Sequence, residues 1–370
     1  MAWCTPKIEF DREIFFPGQE VTGKVSVTTT KEMTARGVRI TFTGKSLATW
    51  DSNGKDRPVE GQMCKKGEEI HVEMSHNVWE PETDENKFPA GEYEWQFQFE
   101  LPKECPPSFE GVYGFIRYFV QVHIDVPHWI DTRVERAVTV SPTIDLNSIP
   151  GAGEAARLES EAAAETCGCF PLHFWPFKRG NVGFTITSPY LGYVSGQSIA
   201  ISALLDNHST KPICEVVATL QRTATFREDL KGSVVRANVN VLQSDDRFTS
   251  KKQTVQLAQR EVTCNVASGG SKTFDFSFQI PPTVATIRSS RFVSVEYFVT
   301  VTAKLDSFLC DESHVDFFFI VGNVPLLEAG KTSLPPHSFE KGDEAKCWTS
   351  FLKPKFTPQF PYYGMKKLTE

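Results

Sequence analysis

The 370 residues are 40% hydrophobic and 23% charged, with a formal net charge of -7. This is a globular composition that excludes disorder over most of the chain and argues against nucleic acid as a partner. The length suits two domains of ~100–200 residues better than one, and nine cysteines scattered from Cys4 to Cys347 fit a reducing compartment better than a disulfide framework.

The first segment, Met1 to Phe16, carries Lys7, Glu9, Asp11, Arg12 and Glu13 and so has no apolar leader. No later run approaches ~20 apolar residues, so the chain is expected in the cytoplasm. Two-residue periodicity then dominates. Val21, Gly23, Val25 and Val27 alternate with polar residues, as do Val38, Ile40 and Phe42. In Tyr93, Trp95, Phe97, Phe99 and Leu101 every second residue is apolar, with Glu or Gln between. Ile116, Tyr118, Val120, Val122, Ile124 and Val126 continue the pattern. Each run predicts a strand with one face on a core. Turn residues such as Pro17-Gly18 and Pro89-Ala90-Gly91 punctuate the runs, the spacing of a β-sandwich.

The second half repeats the first. Phe16-Pro17-Gly18-Gln19 returns as Val194-Ser195-Gly196-Gln197, the glycines 178 positions apart, and Phe97-Gln98-Phe99 returns as Phe276-Ser277-Phe278, 179 apart. Tyr118-Phe119-Val120 returns as Tyr297-Phe298-Val299. So long a period implies a duplicated domain. The expected plan is all-β: a sandwich over 1–147, a linker over 148–172, a second sandwich over 173–325 and a tail over 326–370. Glu154 to Glu165, rich in Ala and Glu, reads as the one helix-favouring stretch. The tail, with Pro335-Pro336, Pro354, Pro358 and Pro361, reads as extended or partly disordered.

The chain resembles the α-arrestins, or arrestin domain-containing proteins. The resemblance rests on the paired Gly-Gln turns, Phe109 through Tyr118 (FEGVYGFIRY), Asp145-Leu146-Asn147 at the junction, the cysteine-aromatic patch opening the second domain, and Pro358 through Tyr363 (PQFPYY). It implies tandem immunoglobulin-like sandwiches, no cofactor, and partners among the cytosolic tails of membrane receptors or transporters, with recruitment to the plasma membrane or endosomes. It also implies recruitment of HECT-type ubiquitin ligases through a Pro-Pro-x-Tyr motif read as an extended segment. This chain departs there. Pro335-Pro336-His337-Ser338 ends in Ser, and Pro361-Tyr362-Tyr363 lacks the proline pair. No residues match the buried charged cluster with which the visual and β-arrestins sense phosphate. Within binding modules the rival reading is a retromer-like cargo subunit; outside them it is a soluble scaffold with no membrane role.

Individual residues carry weaker expectations. Alternation puts Arg117 on the polar face of its strand, with Glu296 as its repeat partner. That face is either solvated or contacts cargo. Phe119 and Phe298 are aromatic on the same face and either pack under a loop or tail or anchor a partner. Cys167 and Cys169, beside Phe170 and Trp175, are open to packing, to lipidation, or, with His173, to a metal that would lack a fourth ligand. Lys353, Lys355, Lys366 and Lys367 could carry ubiquitin or touch anionic headgroups in a peripheral membrane contact. Neither a nucleophile elbow, a phosphate loop nor a zinc His-Glu-x-x-His occurs, so no enzyme activity is expected.

Overall fold

A computed structural model describes residues 4–51, 64–81, 86–127, 132–166, 180–229, 235–236, 248–307, 311–327, 335–342 and 356–364. The first unit runs β1 Cys4–Phe10, β2 Ile14–Phe15, β3 Glu20–Thr29, β4 Met33–Thr34, β5 Gly37–Asp51, β6 Cys64–Trp79, β7 Lys87–Phe88, β8 Gly91–Glu100, β9 Phe109–Gly111, β10 Gly114–Asp125 and β11 Thr132–Val140. The second runs β12 Ala156–Ala163, β13 Glu165–Thr166, β14 Asn181–Ser188, β15 Gly192–Val194, β16 Ser198–Asn207, β17 Ile213–Asp229, β18 Val235–Arg236, β19 Phe248–Val266, β20 Ser271–Gln279, β21 Val293–Leu305 and β22 Asp311–Gly322. The tail adds β23 Ser338–Lys341 and β24 Gln359–Tyr362.

Each unit is a sandwich. The sheet β1-β3-β8 faces β18-β6-β5-β10-β11-β2, whose edge strand β18 comes from the second half of the chain and runs parallel to β6, and β12-β14-β16-β20 faces β13-β22-β21-β17-β19. The two-residue period explains the pairing: β3 buries Val21, Val25 and Val27 while alternate residues stay wet, and β21 buries Val293 through Leu305 at every second position. Among the described residues no α-helix occurs; one 3-10 turn, Leu146–Ser148, is capped by Asp145, whose carboxylate accepts from the Asn147 backbone N–H at 2.9 Å.

The repeat extends to individual hydrogen bonds. Gln19 Oε1 accepts from Phe16 N and Gln197 Oε1 from Val194 N. Leu101 N donates to Gln19 O as Ile280 N donates to Gln197 O, each at 2.9 Å. Gly18 and Gly196 turn these corners at φ +76° and +94°, a conformation that favours glycine. Tyr118 and Tyr297 are fully buried, and each hydroxyl donates to a loop carbonyl, Pro106 and Val284 respectively.

One sequence expectation fails here, and the expected extended tail gains a partner. The Ala/Glu-rich stretch is strand β12, antiparallel to β14 from Ala156↔Ser188 to Ala163↔Asn181. Leu158 and Ala162 face the core while Arg157, Glu159 and Glu161 point to water, so packing on a free edge overrides helix propensity. Part of the expected linker thus belongs to the second sandwich. In the tail, β23 and β24 form an antiparallel hairpin from Ser338↔Tyr362 to Lys341↔Gln359 that docks on both sandwiches. Gln359 N donates to Thr139 Oγ1 at 3.2 Å and Tyr363 N to Ser195 O at 2.9 Å.

Candidate interaction surfaces

The expected site residues do not form one site. Arg117 does not project to a solvated face. It is only 7% exposed, and its guanidinium donates to both oxygens of Glu110, the Nη2 bond at 2.8 Å, while stacking 4.5 Å from the Phe115 ring. The reason is β9, which pairs beside β10 and, opposite Phe115, brings Glu110 onto the same face as Arg117. Burial raises the Glu110 carboxyl above its ordinary range, with the Arg117 hydrogen bond and charge pulling the other way. Glu296 is exposed; burial lowers the nearby Arg227 guanidinium from its ordinary value, with the Glu296 charge pulling the other way. Phe119 is half-buried. Phe298 is half-buried beside Phe318, their ring centroids 5.2 Å apart, and Phe318 is 54% exposed. Alternation gave no sign of that pairing, because it depends on the β21–β22 register.

Pro361 and Tyr362 pair with Phe339 and Ser338 in the hairpin. Tyr363 follows and spans a corner of the second sandwich: its backbone N–H reaches Ser195 O and its hydroxyl donates to Asn323 O at 2.6 Å. Cys167 and Cys169, their neighbouring aromatics, and Lys353, Lys355, Lys366 and Lys367 lie outside the described residues.

The sandwiches meet along a polar seam that sequence reasoning missed. A register shift in β6 opposite Gly44 and Lys45 sets His71 toward it. His71 Nε2 lies 2.7 Å from Ser46 Oγ, Ser46 Oγ 2.9 Å from Ser290 Oγ, and Ser290 Oγ 3.2 Å from Glu69 Oε2, which also accepts from Arg291 N at 3.0 Å. Ser290 Oγ faces two acceptors, Ser46 Oγ and the Glu69 carboxylate, for its single proton, and His71 Nε2 meets the same Ser46 hydroxyl. Burial pushes the His71 imidazole down to about 4 and raises the Glu69 carboxyl. Ser, His and Glu stand together as in a catalytic relay, yet Glu69 sits 4.0 Å from the same nitrogen that faces Ser46, and among the described residues no carboxylate orients the ring from Nδ1. An imidazole so reluctant to protonate is also a poor base near neutrality. The arrangement clamps two domains.

A second patch lies alongside. Phe226 packs against Phe109 at 6.3 Å and Tyr113 at 5.9 Å, and Val112 N donates to Gln253 Oε1 at 2.8 Å. The FEGVYG segment therefore serves the seam. At the far end the last strands of the two units lock together: Ile144 N donates to Asn323 Oδ1, Leu146 N to Val324 O, and Asn147 Nδ2 to Pro325 O.

Among the described residues no group of three or more His, Cys, Asp or Glu is placed to hold a metal, and no helix is long and apolar enough to cross a membrane.

The two sheets of each unit have ends, and they differ between units. By register β14 corresponds to β1, β16 to β3 and β20 to β8. β14 carries β12 on its outer side, whereas among the described residues no strand pairs with the outer side of β1.

The family model of the arrestin (or S-antigen) N-terminal domain matches residues 4–147, and that of the arrestin C-terminal domain matches 178–326. Arrestin domain-containing protein 1 of Mus musculus is 29% identical over 217 residues, 58% of this chain and 45% of the relative, so the match spans under half of that protein. Arrestin domain-containing protein 4 of Mus musculus is 22% identical over 353 residues, 94% of this chain and 77% of its own length. Arrestin domain-containing protein 17 of Caenorhabditis elegans is 26% identical over 361 residues, 91% and 76% of the respective lengths. With both domain models matched in order, and with relatives that carry the arrestin-domain name, the chain belongs to the arrestin family, in its arrestin domain-containing (α-arrestin) branch.

Proposed function

We propose that this chain is a cytoplasmic adaptor that binds the cytosolic tails of membrane receptors or transporters and links them to endocytic or endosomal sorting. The observation that supports this reading is the outer side of β1, with which no strand pairs among the described residues, although Arg136 Nη1 donates to Ile8 O there at 2.8 Å. The second sandwich holds an added strand, β12, at the corresponding edge, so this frame accepts an extended segment there. An incoming tail would satisfy the edge N–H and C=O groups with little demand on its sequence.

Ubiquitination by direct capture of a HECT-type ligase draws no support from the tail. Of the segment nearest to a Pro-Pro-x-Tyr motif, His337 N donates to Tyr362 O at 2.9 Å and Ser338 lies in β23, so it is tied into a hairpin. Ligase recruitment would need another segment or a second protein.

The test is photo-crosslinking in cells with a benzophenone amino acid in place of exposed Lys7 on β1, and a control in place of exposed Gln98 on β8. Membrane proteins should crosslink from position 7 far more than from position 98. Capture of soluble proteins alone, or equal capture at both positions, would sink the reading.

A further inference from the structure

The duplicated architecture contains one corner twice; among the described residues a tyrosine fills the second copy, while at the first the tail only sets Phe339 edge-on against Phe16, ring centroids 6.4 Å apart. In the second sandwich the corner is made by the Val194-Ser195-Gly196 turn, the loop around Thr283 and the strand end at Asn323. The tail occupies it: Tyr363 runs from Ser195 O to Asn323 O, and Gly364 packs so closely on Gly196 that a Cβ there would sit 2.0 Å from the Gly364 nitrogen. The repeat maps these positions onto Phe16-Pro17-Gly18, Cys105 and Pro142 of the first sandwich, since β2 pairs with β11 in parallel as β15 pairs with β22. Of these, Phe16, Pro17, Cys105 and Pro142 line a cleft of about 570 Å³, a volume suited to a bulky side chain and its neighbours.

The walls of the cleft are apolar where the repeat places an aromatic ring. Phe16, Pro17 and Pro142 line it, together with Cys105, whose thiol is pushed up to about 11 by burial and so stays neutral. Its mouth is different from that of the filled corner. Lys103 and, from the second sandwich, Arg288 are both exposed, and among the described residues neither is engaged in an ion pair or hydrogen bond; Glu104 is the one opposing charge among the lining residues. Two uncommitted cations beside an apolar cleft attract an anionic ligand with an apolar body. The second sandwich supplies the chemistry of that body, a tyrosine on an extended backbone.

We infer that this cleft docks an extended partner peptide, with a tyrosine lodged between the Phe16-Pro17 turn and Pro142 and acidic residues beside it facing Lys103 and Arg288. The site is separate from the β1 edge and does not depend on that edge taking a strand. Because its walls come from both sandwiches, a bound peptide would also brace the seam.

The probe is a fluorescein-labelled peptide, Asp-Glu-Pro-Tyr-Gly-Asp-Glu, titrated by anisotropy against the full chain. Saturable binding is expected. It should weaken about ten-fold when Lys103→Glu and Arg288→Glu are combined, since each reversal turns an attraction into a repulsion. It should be lost when the cleft is filled by Thr143→Trp, and lost again when the tyrosine of the probe is replaced by alanine. All three positions are exposed, so the variants should keep the parent melting curve, and the altered probe needs no variant at all. Absence of saturable binding, equal binding of the alanine probe, or binding unchanged by both Thr143→Trp and the charge reversals would overturn the assignment.

Discussion

The two sandwiches share a skeleton down to the Gly-Gln corners and the buried tyrosines, yet they treat their free surfaces differently. The second covers its β14 edge with β12 and its corner with Tyr363. Among the described residues, the first has no strand on the outer side of β1 and no tyrosine in the matching corner, where only Phe339 meets Phe16. Across the paired outer strands the second also sets Phe298 against Phe318, where the first sets Phe119 against Ala137. Duplication provides two equal frames, so the surfaces where the copies differ are not explained by the needs of folding alone. In the second copy the free edge is moved outward by one strand, from β14 to β12.

The largest expected effect concerns the seam, where only the first sandwich contributes a buried imidazole. The folded-state value of His71, about 4, lies below the ordinary 6.5. Its contribution to stability is therefore complete above pH 6.5 and is lost as pH falls from 6.5 toward 4, about 3 kcal/mol in all. Glu69 acts in the opposite sense: its raised carboxyl binds a proton more readily in the folded chain, which recovers part of the loss as pH falls through its own titration. Urea unfolding from pH 7.5 to 4.5 should show the decline in the parent and a flatter profile in His71→Gln. A profile unchanged by the substitution would remove the imidazole from the seam's energetics.

Most of the frame was legible because its information is local. Alternation in Tyr93 through Leu101 reports which face meets the core, and the Gly-Gln pairs report both corners and the duplication. β12 was not legible, because Ala and Glu favour helix until a vacant edge offers its hydrogen bonds. The burial of Arg117 depends on β9 folding back, and the His71 cluster on residues that lie far apart in sequence, Ser46, Glu69 and Ser290. Neither leaves a local pattern. Tyr363 was noticed as part of a degenerate motif, but its role lies in two carbonyls of another domain.

A medium-sized effect should separate the two corners directly. Gly18→Ala meets only the Lys103 Cγ at 3.7 Å, so its cost is the positive φ alone, about 1 kcal/mol. Gly196→Ala carries the same strain and in addition collides with the Gly364 backbone, so it should cost about 2–3 kcal/mol or expel the tail. Thermal melts of the two variants, read beside limited proteolysis of the tail, decide this. Equal costs with an equally protected tail would mean that the corners are equivalent after all.

The smallest effect tests what holds the tail in the filled corner. Tyr363→Phe removes one hydrogen bond, from the hydroxyl to Asn323 O, and keeps the ring that packs with Val194, Leu146 and Ala152. A loss of about 1 kcal/mol is expected, with faster cleavage of the tail. The Asn323 carbonyl belongs to the strand end that also locks the two units together, so part of the loss should appear as looser coupling between them. If the variant melts like the parent and its tail resists protease equally, ring packing and the Ser195 backbone bond suffice. The matching corner of the first sandwich would then ask only for an aromatic ring on an extended chain, and a phenylalanine peptide should fill it as well as a tyrosine one.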